Sequence, residues 1–372
     1  MEDYKHSTDV ILLREKFPWM GEHSGYDILC QYIKNIGQVN VRDVLVARNN
    51  NFLKRRTHFI LSWCSSRINK LPYYDCNSML AEVDVLFTLL LHSVHLVHIM
   101  YLEMDYGILA HLKKRLSAQI IGTSHQPPGW WRMAHRNPNV VSSLSALIVV
   151  STAQKRFFEG YLPGRVYFIR HGVDINFFEP AAPDGNDVSA NEPHCIFCGH
   201  WLRDIQKLAI VIDKVLEKNR CIIFDLIVPQ DRINDTHFYR IAHYEQIRWH
   251  SDISDATLRD LYQQATLLFL PLIDCTANNA LLEASACGLP IITTSVGGVS
   301  DYTDISFAEY YSLEDIDGMR DAILNLADDT TEQQKRKRAA RNYALENLDW
   351  RRIALETFEL YKALQEKNKC EV

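Results

Sequence analysis

A turn, a short helix, a break and a strand follow one another in the stretch Asp274–Thr294, DCTANNALLEASACGLPIITT. The polar residues DCTANN precede an apolar segment of helical composition, which Cys-Gly-Leu-Pro interrupts before the β-branched residues begin. One carboxylate, Glu283, falls among Leu, Ala and Cys in this helix, and a carboxylate in such surroundings needs a polar partner. A half-exposed position on an ordinary helix is the alternative that this stretch leaves open.

Length and composition bound the protein class. A chain of 372 residues exceeds what one hydrophobic core usually organises, so two domains are expected. A formal net charge of -6 argues against a nucleic-acid-binding protein, since neutralising phosphates requires a surplus of Lys and Arg. Nine cysteines without framework spacing indicate a reducing compartment, and the charged start MEDYKHSTDV is unlike a secretory signal. We therefore expect a cytoplasmic protein.

Short apolar runs alternate with segments of helical composition along the chain. In the first half these runs are DVILLREKF, VHLVHIMY, AQIIGTSH, ALIVVST and RVYFIRHG. The polar stretch Glu179–Pro193 interrupts the pattern, which restarts with HCIFCGH, CIIFDLIVP, QIRWH, TLLFLPL and PIITTS. Strands that alternate with helices predict parallel sheets with right-handed crossovers. The pattern predicts two α/β domains, over residues 1–180 and 181–349, followed by a C-terminal helix over 350–372.

Residues just after the predicted strands are candidates for ligand binding, because open parallel sheets bind ligands beyond the carboxyl ends of their strands. With two such domains we expect the site in the cleft between them. In GHWLRDIQK, Gly199 permits a tight strand-to-helix turn, and the spacing of Arg203 and Lys207 predicts that both project from one helix face. Two cations at a helix N-terminus predict an anion site. Gly25, in MGEHSGYD, permits a second close backbone approach, and we predict that Gly25 and Gly199 both contact the donor.

The second half resembles the retaining glycosyltransferases of family four, also called glycosyl transferases group 1. The resemblance rests on NNALLEASACGLPIITTSVGGVSDY, on Gly199 with Arg203 and Lys207, on RHGVDINFFEP and on LDWRRIALETFELYKAL. It implies the GT-B fold, in which two Rossmann-like domains face each other across a cleft and the C-terminal helix crosses back. It also implies transfer of a hexose from a UDP- or GDP-sugar to an acceptor hydroxyl, without an essential metal or a cofactor.

The resemblance assigns roles to the donor-binding residues. Arg203 and Lys207 match the basic pair that binds the donor diphosphate, and Glu283 matches the glutamate that accepts hydrogen bonds from ribose hydroxyls. His125 resembles the histidine beside the transferred sugar, although a loop-stabilising His is an alternative. The turn residues cap the Glu283 helix and present backbone N–H groups to the sugar or phosphate. These turn residues are Thr276, Ala277, Asn278 and Asn279.

One position departs from the family pattern. Counting back along the motif from Glu283 places Cys275 where the family has its first glutamate. A thiol does not replace a carboxylate as an acceptor of sugar hydroxyls. Asp274 stands next to it, so we predict that Asp274 contacts the donor sugar. A different mode of sugar binding, or impaired transfer, stays open.

Several other motifs are interpreted as structural. Cys195 and Cys198 lie on a predicted strand whose period places them on opposite faces, which makes a poor zinc site. The pair Asp315 and Asp317 precedes a helix and is typical of capping rather than of metal binding. We predict no metal site.

Membrane association is considered for two segments. Val85–Leu102 carries no formal charge, yet its histidines and a His-Ser boundary favour a helix that ends near Leu91 and a buried strand from about Val94. The basic patch Lys54, Arg55 and Arg56 lies beside apolar residues. A solvated turn is the first interpretation of this patch, and peripheral contact with the inner face of a membrane is the alternative.

The expected partners are a nucleotide-sugar donor and a carbohydrate, lipid-linked or small-molecule acceptor. Rival functions are a GT-B epimerase, a phosphorylase and a catalytically silent sugar-nucleotide binding protein. A phosphorylase needs a cofactor-bearing lysine and a longer chain. A dehydrogenase is disfavoured, because no G-x-G-x-x-G motif follows the first strand.

Overall fold

The chain divides into two compact units. The computed structural model describes residues 8–17, 19–46, 71–92, 94–133, 137–182 and 192–370. The N-terminal unit combines the chain up to Met20 with Tyr26–His171 and the segment from Trp350, and the C-terminal unit combines Gly21–Gly25 with Gly172–Asp349. The basic patch Lys54, Arg55 and Arg56 lies outside the described residues.

The N-terminal unit is built on a parallel sheet. Its strands within the described residues are β1 Thr8–Arg14, β2 Val39–Leu45, β3 Leu96–Ile99, β4 Gln119–Ser124, β5 Ala146–Val149 and β6 Val166–Phe168, in the order β2-β1-β3-β4-β5-β6. All neighbouring strands pair in parallel. Every residue of β3 and β5 is buried, as expected for parallel strands covered on both faces.

The C-terminal unit has its own parallel sheet. Its strands within the described residues are β7 His194–Cys198, β8 Ile223–Ile227, β9 Ile247–His250, β10 Leu267–Leu270, β11 Ile291–Thr294 and β12 Ala308–Tyr311, in the order β12-β11-β10-β7-β8-β9. This is the strand order of the dinucleotide-binding fold, in which the direction of winding reverses between the first and fourth strands. Ligands bind at such a switch point, so the loops after β7 and β10 are the places to look.

The helices complete the two units. The α-helices in the described part of the chain are α1 Leu29–Lys34, α2 Cys76–Leu91, α3 Leu102–Asp105, α4 Ile108–Leu112, α5 Pro128–Arg132, α6 Thr152–Phe158, α7 Ile205–Lys218, α8 Asp255–Gln264, α9 Asn279–Ala286, α10 Val299–Tyr302, α11 Ile316–Asp328, α12 Thr330–Asn347 and α13 Trp350–Cys370. Short 3-10 turns lie at Tyr26–Ile28, Lys113–Arg115, Pro138–Ser143 and Thr236–Arg240. The alternation of strands and helices confirms the predicted α/β class.

Two strands escaped the sequence prediction. Strand β2, VNVRDVL, is largely exposed or half-buried, and β12, AEYY, is half-buried after its first residue. Both are the last strands of their sheets, where one side of the strand has no neighbour. The continuous apolar run that marks a buried parallel strand is therefore missing from their sequences.

The uncharged segment Val85–Leu102 divides as predicted. Helix α2 ends at Leu91, and the buried strand β3 follows from Leu96. His98 in this strand is buried, with its Nδ1 2.6 Å from Tyr361 Oη and its Nε2 2.7 Å from Thr123 Oγ1. Burial lowers the pKa of His98 to about 3, so the ring is neutral. No helix among the described residues is long and apolar enough to span a membrane.

Helix α13 completes the N-terminal unit from the far end of the chain. Tyr361 and Trp350 are fully buried in this unit, and Tyr361 contacts His98 of β3. Thr8 at the start of β1 donates a hydrogen bond to Gln365, with an Oγ1–Oε1 distance of 3.2 Å. The predicted return of the C-terminal helix to the first domain is confirmed by these contacts.

Candidate functional site

Arg203 follows β7 at the switch point of the C-terminal sheet. Its Nε donates to the Cys198 carbonyl (3.2 Å), its Nη1 to the Trp201 carbonyl (2.7 Å) and its Nη2 to Asn278 Oδ1 (3.2 Å). Gly199 has φ +87°, and a Cβ at this position would lie 2.7 Å from Arg203 Nη2. Glycine at this position therefore permits the backbone turn and leaves the space that the guanidinium occupies. Burial lowers the pKa of Arg203 from its usual value, yet the group stays protonated.

Lys207 does not share a helix face with Arg203, so that prediction is wrong. Helix α7 begins at Ile205, and Asp204 is its N-cap, with a side-chain oxygen 2.9 Å from the Lys207 backbone nitrogen. Arg203 thus precedes the helix, and Lys207 lies in its first turn. The reason is the capping preference of Asp204, so that the helix begins two residues after the arginine. Lys207 Nζ pairs with the exposed Glu314, at 3.0 Å.

The turn after β10 is joined to Arg203 through Asn278. The Asn278 side-chain oxygen accepts from the Ala280 backbone N–H at 3.1 Å and caps α9, which confirms the predicted cap. The same oxygen accepts from Arg203. Thr276 is buried, whereas Ala277 and Asn279 are half-buried. A guanidinium and the N-terminus of α9 therefore lie together at the switch point, and both favour an anion.

Glu283 lies on α9 and is only 4% exposed. Ser24 donates to its Oε1 at 2.5 Å, and Tyr262 donates to its Oε2 at 3.2 Å. Burial raises the pKa of Glu283 to about 7, although both hydrogen bonds act to lower it. The half-exposed alternative for Glu283 is therefore excluded, and its partners in this structure are two hydroxyl groups.

The segment Gly21–Gly25 brings Ser24 to Glu283. Gly25 has φ +96°, a conformation that L-residues with side chains rarely adopt. His23 Nδ1 lies 2.7 Å from Asp174 Oδ2, and its ring stacks on Phe177 with centroids 3.6 Å apart. Residues of this segment line a small pocket together with Gly172, Val173, Asn279, Leu282 and Glu283.

Asp274 and Cys275 form the first part of the turn after β10. The half-buried Asp274 accepts a hydrogen bond from the Cys275 backbone N–H at 2.8 Å. Cys275 is 2% exposed, and its Sγ lies 3.0 Å from the Thr276 carbonyl oxygen. Burial raises the pKa of Cys275 to about 12, so the thiol is neutral. The residue at the departing position is thus a buried thiol that faces its own turn.

His125 belongs to the N-terminal unit, just after β4. Its Nε2 lies 2.8 Å from the Met100 carbonyl oxygen, and its ring lies between Tyr26 and Tyr101, with centroids 4.7 and 4.8 Å away. Its backbone N–H donates to the buried Glu103 at 2.7 Å. Burial lowers the pKa of His125, so the ring is neutral, with its proton on the nitrogen that faces the carbonyl. These contacts hold the loop in place, and the predicted contact with sugar stays a prediction.

The motifs interpreted as structural have structural partners. Asp315 caps α11, and Asp317 pairs with Lys214 and Arg320. Cys195 and Cys198 both lie on β7, and Cys195 is buried. In the part of the chain that the structure describes, no group of three His, Cys, Asp or Glu side chains has an arrangement suited to a metal ion.

The C-terminal unit matches a family model. Residues 192–329, which include the Arg203 loop and α9, match the model described as glycosyl transferases group 1. The chain is also 22% identical over 296 residues to an alpha-maltose-1-phosphate synthase of Mycobacterium tuberculosis, over 72% of this chain and 75% of that protein. These matches confirm the family resemblance and support a transferase role.

Solved structures show the same fold as the whole chain. A sucrose-phosphate synthase from Thermosynechococcus elongatus superposes with a TM-score of 0.74 at 16% identity, covering 97% of this chain and 100% of that one. Anabaena HepE, solved in complex with UDP and glucose, gives 0.69 at 14% identity, covering 96% and 100%. The predicted GT-B fold is confirmed.

Two contacts of the Glu283 carboxylate were missed from the sequence. Ser24 lies far from Glu283 along the chain. Tyr262 lies on the buried face of the amphipathic helix α8, where an aromatic residue is expected for packing alone. The dipeptide Ser-Gly in MGEHSGYD indicated only a turn. The sequence does indicate that Glu283, a carboxylate among apolar residues of α9, needs hydrogen-bond donors. It does not indicate which residues supply them.

The raised pKa of Glu283 predicts a pH dependence of stability. An unperturbed Glu has a pKa of 4.5, whereas the pKa of folded Glu283 is about 7. Between these values the folded state keeps a proton that the unfolded state has released, so the free energy of unfolding falls as pH rises through this window. The expected loss is about 3 kcal/mol. Denaturant unfolding at several pH values checks this, with Glu283→Gln as the non-titrating reference. Identical pH profiles of the two proteins would contradict the prediction.

Proposed function

We propose that the protein is a retaining glycosyltransferase that moves a hexose from a UDP- or GDP-sugar to an acceptor hydroxyl. The observation that carries this proposal is the convergence of Arg203, the N-terminus of α9 and the buried Glu283 at the switch point of one parallel sheet. A cation, oriented N–H groups and a carboxylate match the diphosphate and the ribose of a nucleotide. The complex of HepE with UDP and glucose supports this donor class.

In this proposal Arg203 and Lys207 stabilise the leaving nucleoside diphosphate. Charge develops on the diphosphate as the glycosidic bond breaks, so cations held in place before the reaction lower the barrier. Arg203 is fixed by three hydrogen bonds, two of them to backbone carbonyls. Lys207 must exchange its exposed partner Glu314 for phosphate, which costs little for a surface ion pair.

Glu283 binds the ribose in this proposal, and the acceptor hydroxyl attacks the donor sugar on the face from which the diphosphate leaves. Front-face attack retains the anomeric configuration and needs no protein nucleophile. The N-terminal unit supplies the acceptor site, and His125 contributes from the loop after β4. Neither a metal ion nor a cofactor takes part. Comparing the anomeric configuration of product and donor tests retention, and an unchanged rate in EDTA tests metal independence.

A catalytically silent sugar-nucleotide binding protein is the second candidate function. The observation that favours it is Cys275, a neutral buried thiol where the family has a carboxylate. Nucleotide binding without measurable transfer to any acceptor would support this candidate.

The donor site predicts selective stabilisation by nucleotides. In a thermal-shift panel of UDP-, GDP- and ADP-sugars, the accepted donor at 100 times its dissociation constant should add about 2.7 kcal/mol of stability. Glu283→Gln should weaken nucleotide binding by about 1.5–3 kcal/mol, since it removes a charged acceptor. Glu217→Gln, at an exposed position of α7, is the control. Absence of any shift at millimolar concentrations would eliminate the donor site.

The leaving-group role predicts a rate effect at Lys207. Lys207→Ala should lower transfer by about 10²- to 10³-fold, the scale for losing one electrostatic stabiliser of a transition state. Arg203→Ala should do the same. Lys214→Ala is the matched control, because Lys214 lies on the same helix α7 and also pairs with an exposed carboxylate, Asp317. Wild-type turnover by both Lys207→Ala and Arg203→Ala, at saturating acceptor, would remove the leaving-group role.

The predicted contact of Asp274 with the donor sugar leads us to expect different effects on transfer at Asp274 and Cys275. We propose that Asp274 accepts hydrogen bonds from hydroxyls of the donor sugar, so Asp274→Asn should lower transfer by about 10- to 150-fold. Cys275→Ser should cost far less, because a thiol is a weak hydrogen-bonding group. Free nucleoside diphosphate should bind Asp274→Asn normally. If Cys275→Ser loses transfer activity while Asp274→Asn keeps it, the role belongs to the thiol instead.

A further inference from the structure

The segment Gly21–Gly25, here called the strap, is held on the C-terminal unit by several independent contacts. The His23 backbone N–H donates to Asp255 Oδ2 at 2.9 Å, and the His23 ring pairs with Asp174 and stacks on Phe177. Arg259 lies over the Phe177 ring, 4.9 Å from its centroid. The strap is therefore a docked segment with specific polar and aromatic partners.

Ser24 places a hydroxyl on the carboxylate that the proposed function gives to ribose. Its Oγ lies 2.5 Å from Glu283 Oε1, and Tyr262 Oη lies on the other carboxylate oxygen. Glu283 is 4% exposed, so little room remains beside it for further donors. A ribose hydroxyl and a serine hydroxyl are the same hydrogen-bonding group. Ser24 thus makes the contact that a bound nucleotide would make.

The pocket beneath the strap is too small for a nucleotide. It is lined by His23, Ser24, Gly25 and residues of the Glu283 site, and it leaves no room for even a water molecule. Pockets that bind small molecules have volumes of about 300–1,000 Å³. A nucleoside diphosphate on Glu283 therefore requires the strap to move away.

Glycines at both ends of the strap suit it to docking and release. Gly25 has φ +96°, and a Cβ at Gly21 would collide with the Asp255 carboxylate that accepts from His23. Glycine permits the docked backbone at one end and the close approach at the other.

We infer that the strap occludes the donor site, with the Ser24 hydroxyl on Glu283 in place of a ligand hydroxyl, so that strap docking and nucleotide binding compete. This inference rests on the proposed function, because it takes Glu283 as the ribose-binding residue. A nucleotide that binds must displace the strap, and its measured affinity is reduced by the fraction of molecules in which the strap is docked.

Competition predicts that weakening the strap strengthens nucleotide binding. UDP, GDP and ADP are titrated by calorimetry into the full chain and into Ser24→Ala and His23→Ala. Both variants should bind the accepted nucleotide about ten-fold more tightly than wild type, the scale of one hydrogen bond to a charged group. His23→Ala is informative because it removes the ring that pairs with Asp174 and stacks on Phe177, while the backbone N–H that donates to Asp255 is kept. Thr88→Ala is the control, since it removes an exposed hydroxyl hydrogen bond on α2.

Hydrogen exchange on the wild-type chain gives a second readout that needs no variant. The His23 amide should be protected in the free protein, because it donates to Asp255, and should exchange faster when nucleotide is bound. Tighter binding by the strap variants, or binding by them alone, together with this loss of protection supports the inference. Nucleotide binding that is unchanged or weaker in both variants, or that leaves the amide protected, overturns competition while the donor site stands. Binding by none of the proteins overturns the donor site and competition together.

Discussion

The Asn278 side-chain oxygen accepts two hydrogen bonds on which the candidate site depends. One comes from the Ala280 backbone N–H and starts α9, and the other comes from Arg203 in the loop after β7. These two loops lie at the switch point of the C-terminal sheet, so one acceptor fixes a cation against a helix N-terminus. An anion-binding arrangement follows from this contact alone, because the orientation of the guanidinium and the start of the helix are set together.

Glu283 is a carboxylate that lies buried among the apolar residues of α9, where its negative charge is poorly solvated. Burial raises its pKa to about 7, and its neighbours supply hydroxyl donors and no ion pair in the described contacts of its side chain. Ser24 and Tyr262 are neutral, so the charge is stabilised only in part. A carboxylate in this state gains from further hydroxyl donors, and this makes it suited to a ligand such as ribose rather than to a permanent salt bridge.

The buried parts of the fold could be predicted from sequence, because β5 and β10 are continuous apolar runs and the fully buried β3 and β11 contain only His98 and two threonines besides apolar residues. The edge strands β2 and β12 could not, since half-exposed strands carry mixed residues. In the site, the Asn278 cap followed from the turn preceding α9, a local signal. The prediction that Arg203 and Lys207 share a helix face is wrong, because Asp204 is the N-cap of α7 and Arg203 therefore lies before the helix. The Ser24 contact with Glu283 joins distant parts of the chain, and no local pattern carries it.

The groups to which the proposed function gives the nucleotide and those to which it gives the sugar differ in how well they match the expected chemistry. Arg203, Asn278 and Glu283 form a connected arrangement of cation, helix cap and carboxylate. Beside it, Cys275 is buried and neutral, and its sulfur faces the carbonyl of Thr276. A neutral thiol in place of a carboxylate removes negative charge near Arg203 and the N-terminus of α9, and it also removes an acceptor for hydroxyl groups. In the proposed function the first change favours the diphosphate and the second weakens the contact with the sugar, so nucleotide affinity and the rate of transfer would depend on different groups.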